Sequence, residues 1–231
     1  MRKVIPERIT LRLNNKTIFE SKKLRYLGLI VDDKLSWKHH ITELKKQLCK
    51  TNGIIYNLKK IGAPIQILKS VYYSLFESYL NYGLICWGQS DGKNFHKIEV
   101  MQNKAVRIIS GSEYDAHCDP IYKDLNIIKV KDLLYLKYSS LMWDFDHNDI
   151  PNNFKDHFVY ANQTHRYSTR FATAGKLCEN KKFNTERYGL NSFTYMGPKI
   201  LNSLKDNKLY REAKSKVQFL KNYKKSIVER Y

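Results

Sequence analysis

Apolar positions change their spacing along the chain, and each change predicts a different kind of element. Over residues 9–13 apolar and polar side chains alternate, Asn14-Asn15 supplies a turn, and residues 16–21 return, the pattern of a β-hairpin. Residues 24–31, LRYLGLIV, predict a more apolar strand with Gly28 inside it, where a bulge or a close backbone approach is expected. From Ser36 the period becomes three and four. Trp37, Ile41, Leu44, Leu48, Ile55 and Leu58 mark one side of an amphipathic helix that Ser36 caps. IGAP closes it, and Pro64 opens a second helix running to about Tyr82 through Leu68, Val71, Leu75 and Tyr79. After the loop WGQSDGKN, a third helix uses Phe95, Ile98, Met101, Ala105, Ile108 and Ile109 and stops at Gly111.

The second half is less regular. Asp119-Pro120 predicts the start of a short helix, and residues 130–145 a longer, largely buried one that HNDIPNNF breaks. Residues 161–191 carry few helix signals and predict loops with short strands. YMGPKILNSL predicts a Gly-Pro turn and a short helix, and residues 214–231 an amphipathic helix with Val217, Leu220 and Ile227 on one side. The expected class is mainly α with an N-terminal β-hairpin and strand unit (α+β), followed by a mixed, partly irregular C-terminal region.

Charge changes the picture most. Among 231 residues, 41 Lys and Arg oppose 22 Asp and Glu, a formal net charge of +19. Such an excess attracts phosphate backbones whatever their sequence and points to a nucleic-acid partner. The basic residues are not spread evenly. The outer side of the first helix carries Lys38, Lys45, Lys46, Lys50, Lys59 and Lys60 against Glu43, and residues 204–231 hold nine Lys or Arg against three acids. A hydrophobic share of 42% excludes intrinsic disorder. No apolar run approaches the ~20 residues of a membrane span, and MRKVIPERIT has no apolar stretch of a signal peptide, so no membrane partner is expected. Cys49, Cys86, Cys118 and Cys178 include no CxxC, which argues against a zinc knuckle and a disulfide framework. His117-Cys118, between Asp115 and Asp119, reads as a loop, and no metal or cofactor is expected. Together these features place the chain inside the cell, in nucleus or cytoplasm.

Asp32-Asp33, behind an apolar run, has the look of a polymerase's paired metal-binding aspartates. Two-metal phosphoryl transfer needs such a pair held on a rigid hairpin turn, with a further carboxylate nearby. Here the polar, basic KLSWKHHITELKK follows, and the acids before the pair are Glu7 and Glu20. The pair therefore predicts the end of a strand approaching a helix, where the helix dipole favours acids. No Ser/His/Asp or Cys/His nucleophile arrangement and no Gly-rich phosphate loop is evident.

LRYLGLIVDDKLSWKHHI closely resembles the region downstream of the catalytic motif in reverse transcriptases of non-LTR retrotransposons, the jockey-like LINE elements. The family's hydrophobic-Leu-Gly primer grip corresponds to Tyr26-Leu27-Gly28, and its acidic approach to the thumb to Asp32-Asp33, Leu35, Trp37, His40 and Ile41. ILKSVYYSLFESYLNYGLICWG and KIEVMQNKAVRIISG are similar to the thumb helices. PIYKDLNIIKVKDLLYLKYSSLMWDF, IPNNFKDHF, HRYSTR and GLNSFTYMGPKILNSL carry the likeness to the closing segment, SKVQFLKNYKKSIVERY. The fingers, most of the palm and the catalytic aspartates have no counterpart.

The resemblance implies terminal palm strands with a primer-grip-like segment over 1–35, a thumb-like helical bundle over 36–111 and a post-thumb domain over 112–231. It implies a non-catalytic fragment of an RNA-directed DNA polymerase, not itself an enzyme, binding RNA, DNA or an RNA–DNA hybrid. The alternative is a portion of an active reverse transcriptase whose palm is truncated away or supplied by a separate chain. Expected nucleic-acid contacts are Tyr26 and Gly28 by resemblance, Lys45, Lys46, Lys50, Lys59, Lys60, Lys104 and Arg107 on the helices, and Arg166 and Arg170 in HRYSTR. Apolar surface is expected on the N-terminal strands where a palm would pack, and with it self-association.

Overall fold

The computed structural model describes residues 11–164, 169–178 and 192–231. It begins with two small antiparallel ribbons. In the first, β1 (Leu11–Leu13) pairs with β2 (Lys16–Ile18) through a two-residue turn at Asn14 and Asn15, both at positive φ. That is the I′ geometry which matches the twist of paired strands and which Asn tolerates. The second ribbon corrects the single strand expected over 24–31. β3 (Lys23–Tyr26) folds back on β4 (Leu29–Asp32), with Tyr26 opposite Leu29. Leu27 (φ +45°) and Gly28 (φ +81°) form the turn between them. The glycine is thus the hairpin's corner and not a bulge. A Cβ on Gly28 would lie 3.2 Å from the Tyr82 ring, and the Tyr82 hydroxyl donates to the Leu27 carbonyl, fixing the corner on the helices below.

Helix α1 (Lys38–Lys60) starts differently from its sequence pattern. Trp37 stands just outside it at φ +58°, and the cap is built upstream. The Asp32 carboxylate accepts from the Lys34 N–H (3.2 Å), the Ser36 N–H (2.9 Å), the Ser36 hydroxyl (2.9 Å) and the Trp37 N–H (3.0 Å). Ser36 Oγ in turn accepts from the Lys38 N–H at 3.3 Å. Four donors hold one carboxylate, so the chain tolerates left-handed Leu35 and Trp37 in the link.

After α1 the chain turns through Gly62 and runs as one rod. It comprises α2 (Ile65–Val71), a π-helical stretch at Tyr72–Glu77, and α3 (Ser78–Asn81). The π-segment turns Tyr72 and Phe76 inward together, stacked at 5.1 Å and fully buried. Short α4 (Leu84–Trp87) leads to α5 (Gly92–Ser110), which Asp91 caps and Gly111 ends at φ +78°. Helices α6 (Cys118–Leu125) and α7 (Val130–Asp146) follow, close to expectation. Further on, α8 (Asn152–Lys155), α9 (Ala161–Thr164) and α10 (Arg170–Thr173) are single helical turns, and one isolated β-bridge joins Tyr160 and Leu177; much of the stretch 161–191 expected to hold loops and short strands lies outside the described residues.

Helix α11 (Phe193–Asp206) overrides its own breaker, because Gly197 and Pro198 lie inside it. A Cβ on Gly197 would meet Met142 and Phe158 at 3.0 Å, so this close packing against α7 holds the helix through the proline. The last elements are α12 (Lys208–Arg211) and α13 (Lys216–Val228). Ile227 is buried as expected and Leu220 packs half-buried against the core, but Val217 is 77% exposed, and Phe219 and Tyr223 complete the buried face. The aromatic rings decide this, since Phe219 stacks on Trp143 and Tyr223.

One apolar cluster runs from Ile41 through Trp87, Ile128 and Trp143 to Val228. Two polar hubs are set into it. The Gln102 amide donates to Tyr72 Oη and the Ile128 carbonyl, both at 2.8 Å, and its oxygen accepts from the Val130 N–H at 2.7 Å. Asp146 accepts from Tyr160 Oη (2.9 Å) and Tyr210 Oη (2.8 Å) and pairs with Lys205 (2.8 Å). The end of the chain is clasped to α7: Tyr231 Oη donates to Asp132 at 2.6 Å and accepts from the Lys129 N–H at 3.1 Å. Among the described residues no helix is long and apolar enough to cross a membrane.

Candidate nucleic-acid interface

Helices α1 and α5 lie side by side and point the same way. The Asn52 amide donates to the Met101 carbonyl (3.0 Å), and one turn-pair later Lys59 Nζ donates to the Ile109 carbonyl (3.2 Å). Between them runs a groove of about 610 Å³, lined by Cys49, Asn52, Gly53, Tyr56 and Lys59 on one wall and by Lys104, Arg107, Ile108 and Gly111 on the other. Ser112 and Tyr114 close its end. Three of the predicted contacts, Lys59, Lys104 and Arg107, therefore converge on one cleft, and its lining holds no acid.

The cations are placed by specific contacts. The Lys59 amine sits over the C-terminal end of α5, 3.4 Å from where a Gly111 side chain would begin, with the helix dipole in its favour. Arg107 Nε donates to the Ala116 carbonyl (2.9 Å), which orients the guanidinium. Lys104 is exposed. Among the described residues no carboxylate pairs with any of the three.

Helix periodicity sorts the other lysines. Lys45 heads the row Cys49, Asn52, Tyr56 and Lys59, so it extends the groove wall toward the start of α1. Lys46 and Lys60 share the next row with Gly53, and Lys50 lies one step further round, all of them exposed. Lys46 also pairs with Glu43 at 3.4 Å and faces a second cleft, of about 360 Å³, shared with Lys23 and Arg25 of β3. The basic surface thus continues onto the second ribbon.

Tyr26 and Gly28 are not part of the groove. They stand at the tip of the β3–β4 hairpin, with Tyr26 63% exposed. Gly28 borders a cleft of about 460 Å³ with Glu43, Gln47, Ser78 and Tyr82, on the opposite side of α1. Arg170 opens α10 in the second half, exposed and outside the groove, and Arg166 lies outside the described residues.

Of the residues lining the groove, sequence reasoning named Lys59, Lys104 and Arg107 as contacts and missed the other eight, among them Cys49, Asn52, Tyr56 and Tyr114. Three of them, Cys49, Asn52 and Tyr56, follow Lys45 at spacings of three and four, so the row was there to be read. Tyr114, in a loop, carried no such signal.

Two groups near this surface have shifted acidities. Burial works against the Asp32 carboxylate, but the hydrogen bonds from Ser36, Lys34 and Trp37 outweigh it and hold Asp32 below the usual carboxylate range. Burial and the nearby Arg25 push His40 down, so its ring is neutral at pH 7. Nδ1 of that ring accepts from the Ile30 N–H at 3.5 Å, and the ring packs between Trp37 and Trp87, tying β4 to α1.

The chain is similar over about half its length to several transposon polymerases. It is 28% identical over 126 residues to the RNA-directed DNA polymerase from mobile element jockey of Drosophila melanogaster, a match covering 53% of this chain and 14% of the relative. It is 25% identical over 124 residues to the probable RNA-directed DNA polymerase from transposon X-element of the same fly, covering 52% and 13%. The probable RNA-directed DNA polymerase from transposon BS is 22% identical over 129 residues, covering 55% and 14%. The matched stretch is thus about one seventh of each relative's length. No family model matches the chain, and no solved structure matches it significantly.

Proposed function

We propose that this chain binds the phosphate backbone of RNA, DNA or their hybrid through the basic surface of α1 and α5, without catalysis of its own. Residues 36–111 act as the thumb-like binding unit and 112–231 as its support. The observation that carries the reading is the acid-free convergence of Lys59, Lys104 and Arg107 on one groove, prolonged by Lys45, Lys46, Lys50 and Lys60 along α1. The 23 residues of α1 span about 35 Å, enough to follow several phosphates. Similarity to RNA-directed DNA polymerases supports a nucleic-acid partner.

The test is binding of the purified chain to a labelled RNA–DNA hybrid across a salt series. Affinity should fall steeply with salt and weaken strongly when Lys45, Lys46 and Lys50 are changed together to Glu. No binding at low salt would overturn the reading.

One observation favours a second reading, in which the chain docks on a separate polymerase palm. Leu11, Leu13, Phe19, Leu24 and Leu27 are each more than half exposed on the two ribbons. In that case the same surface, left uncovered, drives self-association.

A further inference from the structure

We infer that the α1–α5 groove is a socket for one unpaired nucleotide, so that this surface selects single-stranded or bulged nucleic acid over an uninterrupted duplex. The inference rests on the phosphate-binding reading and deepens it.

Phosphate contact alone asks only for cations at a rim. This groove has them, but its interior is of another kind. The Ile108 side chain, the Cys49 side chain and the rings of Tyr56 and Tyr114 give it a largely apolar lining. Both tyrosines are presented to solvent, 57% and 86% exposed, as large flat faces on which no ring of the described residues stacks. A base pair inside a duplex offers its faces only to its neighbours in the stack. An unpaired base offers its face to whatever ring lies beside the strand. At about 610 Å³, the groove has the size of an ordinary small-ligand site.

Asn52 adds a specific feature. It is 3% exposed, and its Oδ1 has no hydrogen-bond partner. The side-chain orientation is fixed, because the Met101 carbonyl can only accept and so must face the amide nitrogen. A buried, unpaired acceptor is thereby left in a residue that lines the groove. Every nucleobase carries an N–H donor on its pairing edge, and that edge is free only when the base is unpaired. Lys59, Lys104 and Arg107, of which two are already oriented by backbone carbonyls, then meet the phosphates on either side.

The experiment uses the full chain and three labelled RNA probes: a continuous duplex, the same duplex with one bulged 2-aminopurine, and the single strand containing it. The bulged and single-stranded probes should bind about tenfold more tightly than the continuous duplex, the worth of one base on an aromatic ring. Seating the 2-aminopurine should quench its fluorescence. Tyr56→Ala and Tyr114→Ala, at exposed positions where folding is not at stake, should erase the preference for the bulged and single-stranded probes and the quenching. Equal affinity for all three probes, unaffected by either tyrosine, would overturn the socket and leave the phosphate reading standing. Absence of binding to any probe would overturn both.

Discussion

Replacing Asp32 by Ala removes the acceptor that four donors share, so the link into α1 loses its anchor. A cost of about 1–2 kcal/mol is expected in urea denaturation, in the usual range for losing hydrogen bonds to a charged group. The pH dependence has a definite sign. The folded carboxyl is held below its unfolded value of 3.8, so its stabilisation is complete above that value and is lost as pH falls through the folded pKa. Wild type and Asp32→Ala should therefore differ at neutral pH and converge in acid. Gln102→Leu is expected to cost more, about 2–3 kcal/mol, because it strands Tyr72 Oη, the Ile128 carbonyl and the Val130 N–H inside the core. Denaturation with matched m-values would check it.

At the scale of elements, the corner of the second ribbon is the sensitive point. Gly28→Ala puts a side chain at φ +81° and 3.2 Å from the Tyr82 ring, so the hairpin should loosen by about 1–2 kcal/mol. Faster hydrogen exchange confined to residues 23–32 is the expected readout. Elements were legible in the sequence wherever one local rule decided them. The Asn14-Asn15 turn, the three-and-four spacing of α1 and α5 and the Gly111 stop all formed as read. They were misread where tertiary contact overruled the local signal. Leu27-Gly28 closes a hairpin because Tyr82 reaches up to hold it. Gly197-Pro198 stays helical because Phe158 and Met142 press on it, and α13 turns its aromatic side inward toward Trp143 in place of Val217.

Across the whole molecule, +19 of net charge points to a polyanionic partner, but charge alone does not say where one would bind. The lysines of α1 could be named from the helix period. That Lys59, Lys104 and Arg107 meet across a groove depends on α5 running parallel to α1, which no spacing within either helix encodes. The consequence for binding is quantitative. Each neutralised duplex phosphate adds about 0.9 to the log–log salt slope, so the triple change of Lys45, Lys46 and Lys50 to Glu should flatten it by nearly three units if each touches one phosphate. A triple variant with the parental slope would move the phosphate path off this row of α1.

The clasp of Tyr231 on α7 also bears on the order in which the protein is made. Residues 129 and 132 leave the ribosome early, yet their partner hydroxyl lies 102 and 99 positions downstream. The start of α7 meets α5 as soon as both are made, since Gln102 accepts from the Val130 N–H, but its Asp132 waits for the Tyr231 hydroxyl until residue 231 has been added. Synthesis stalled a few codons short of that tyrosine leaves a chain whose α1–α5 groove is already assembled while Asp132 and the Lys129 N–H still lack their partner.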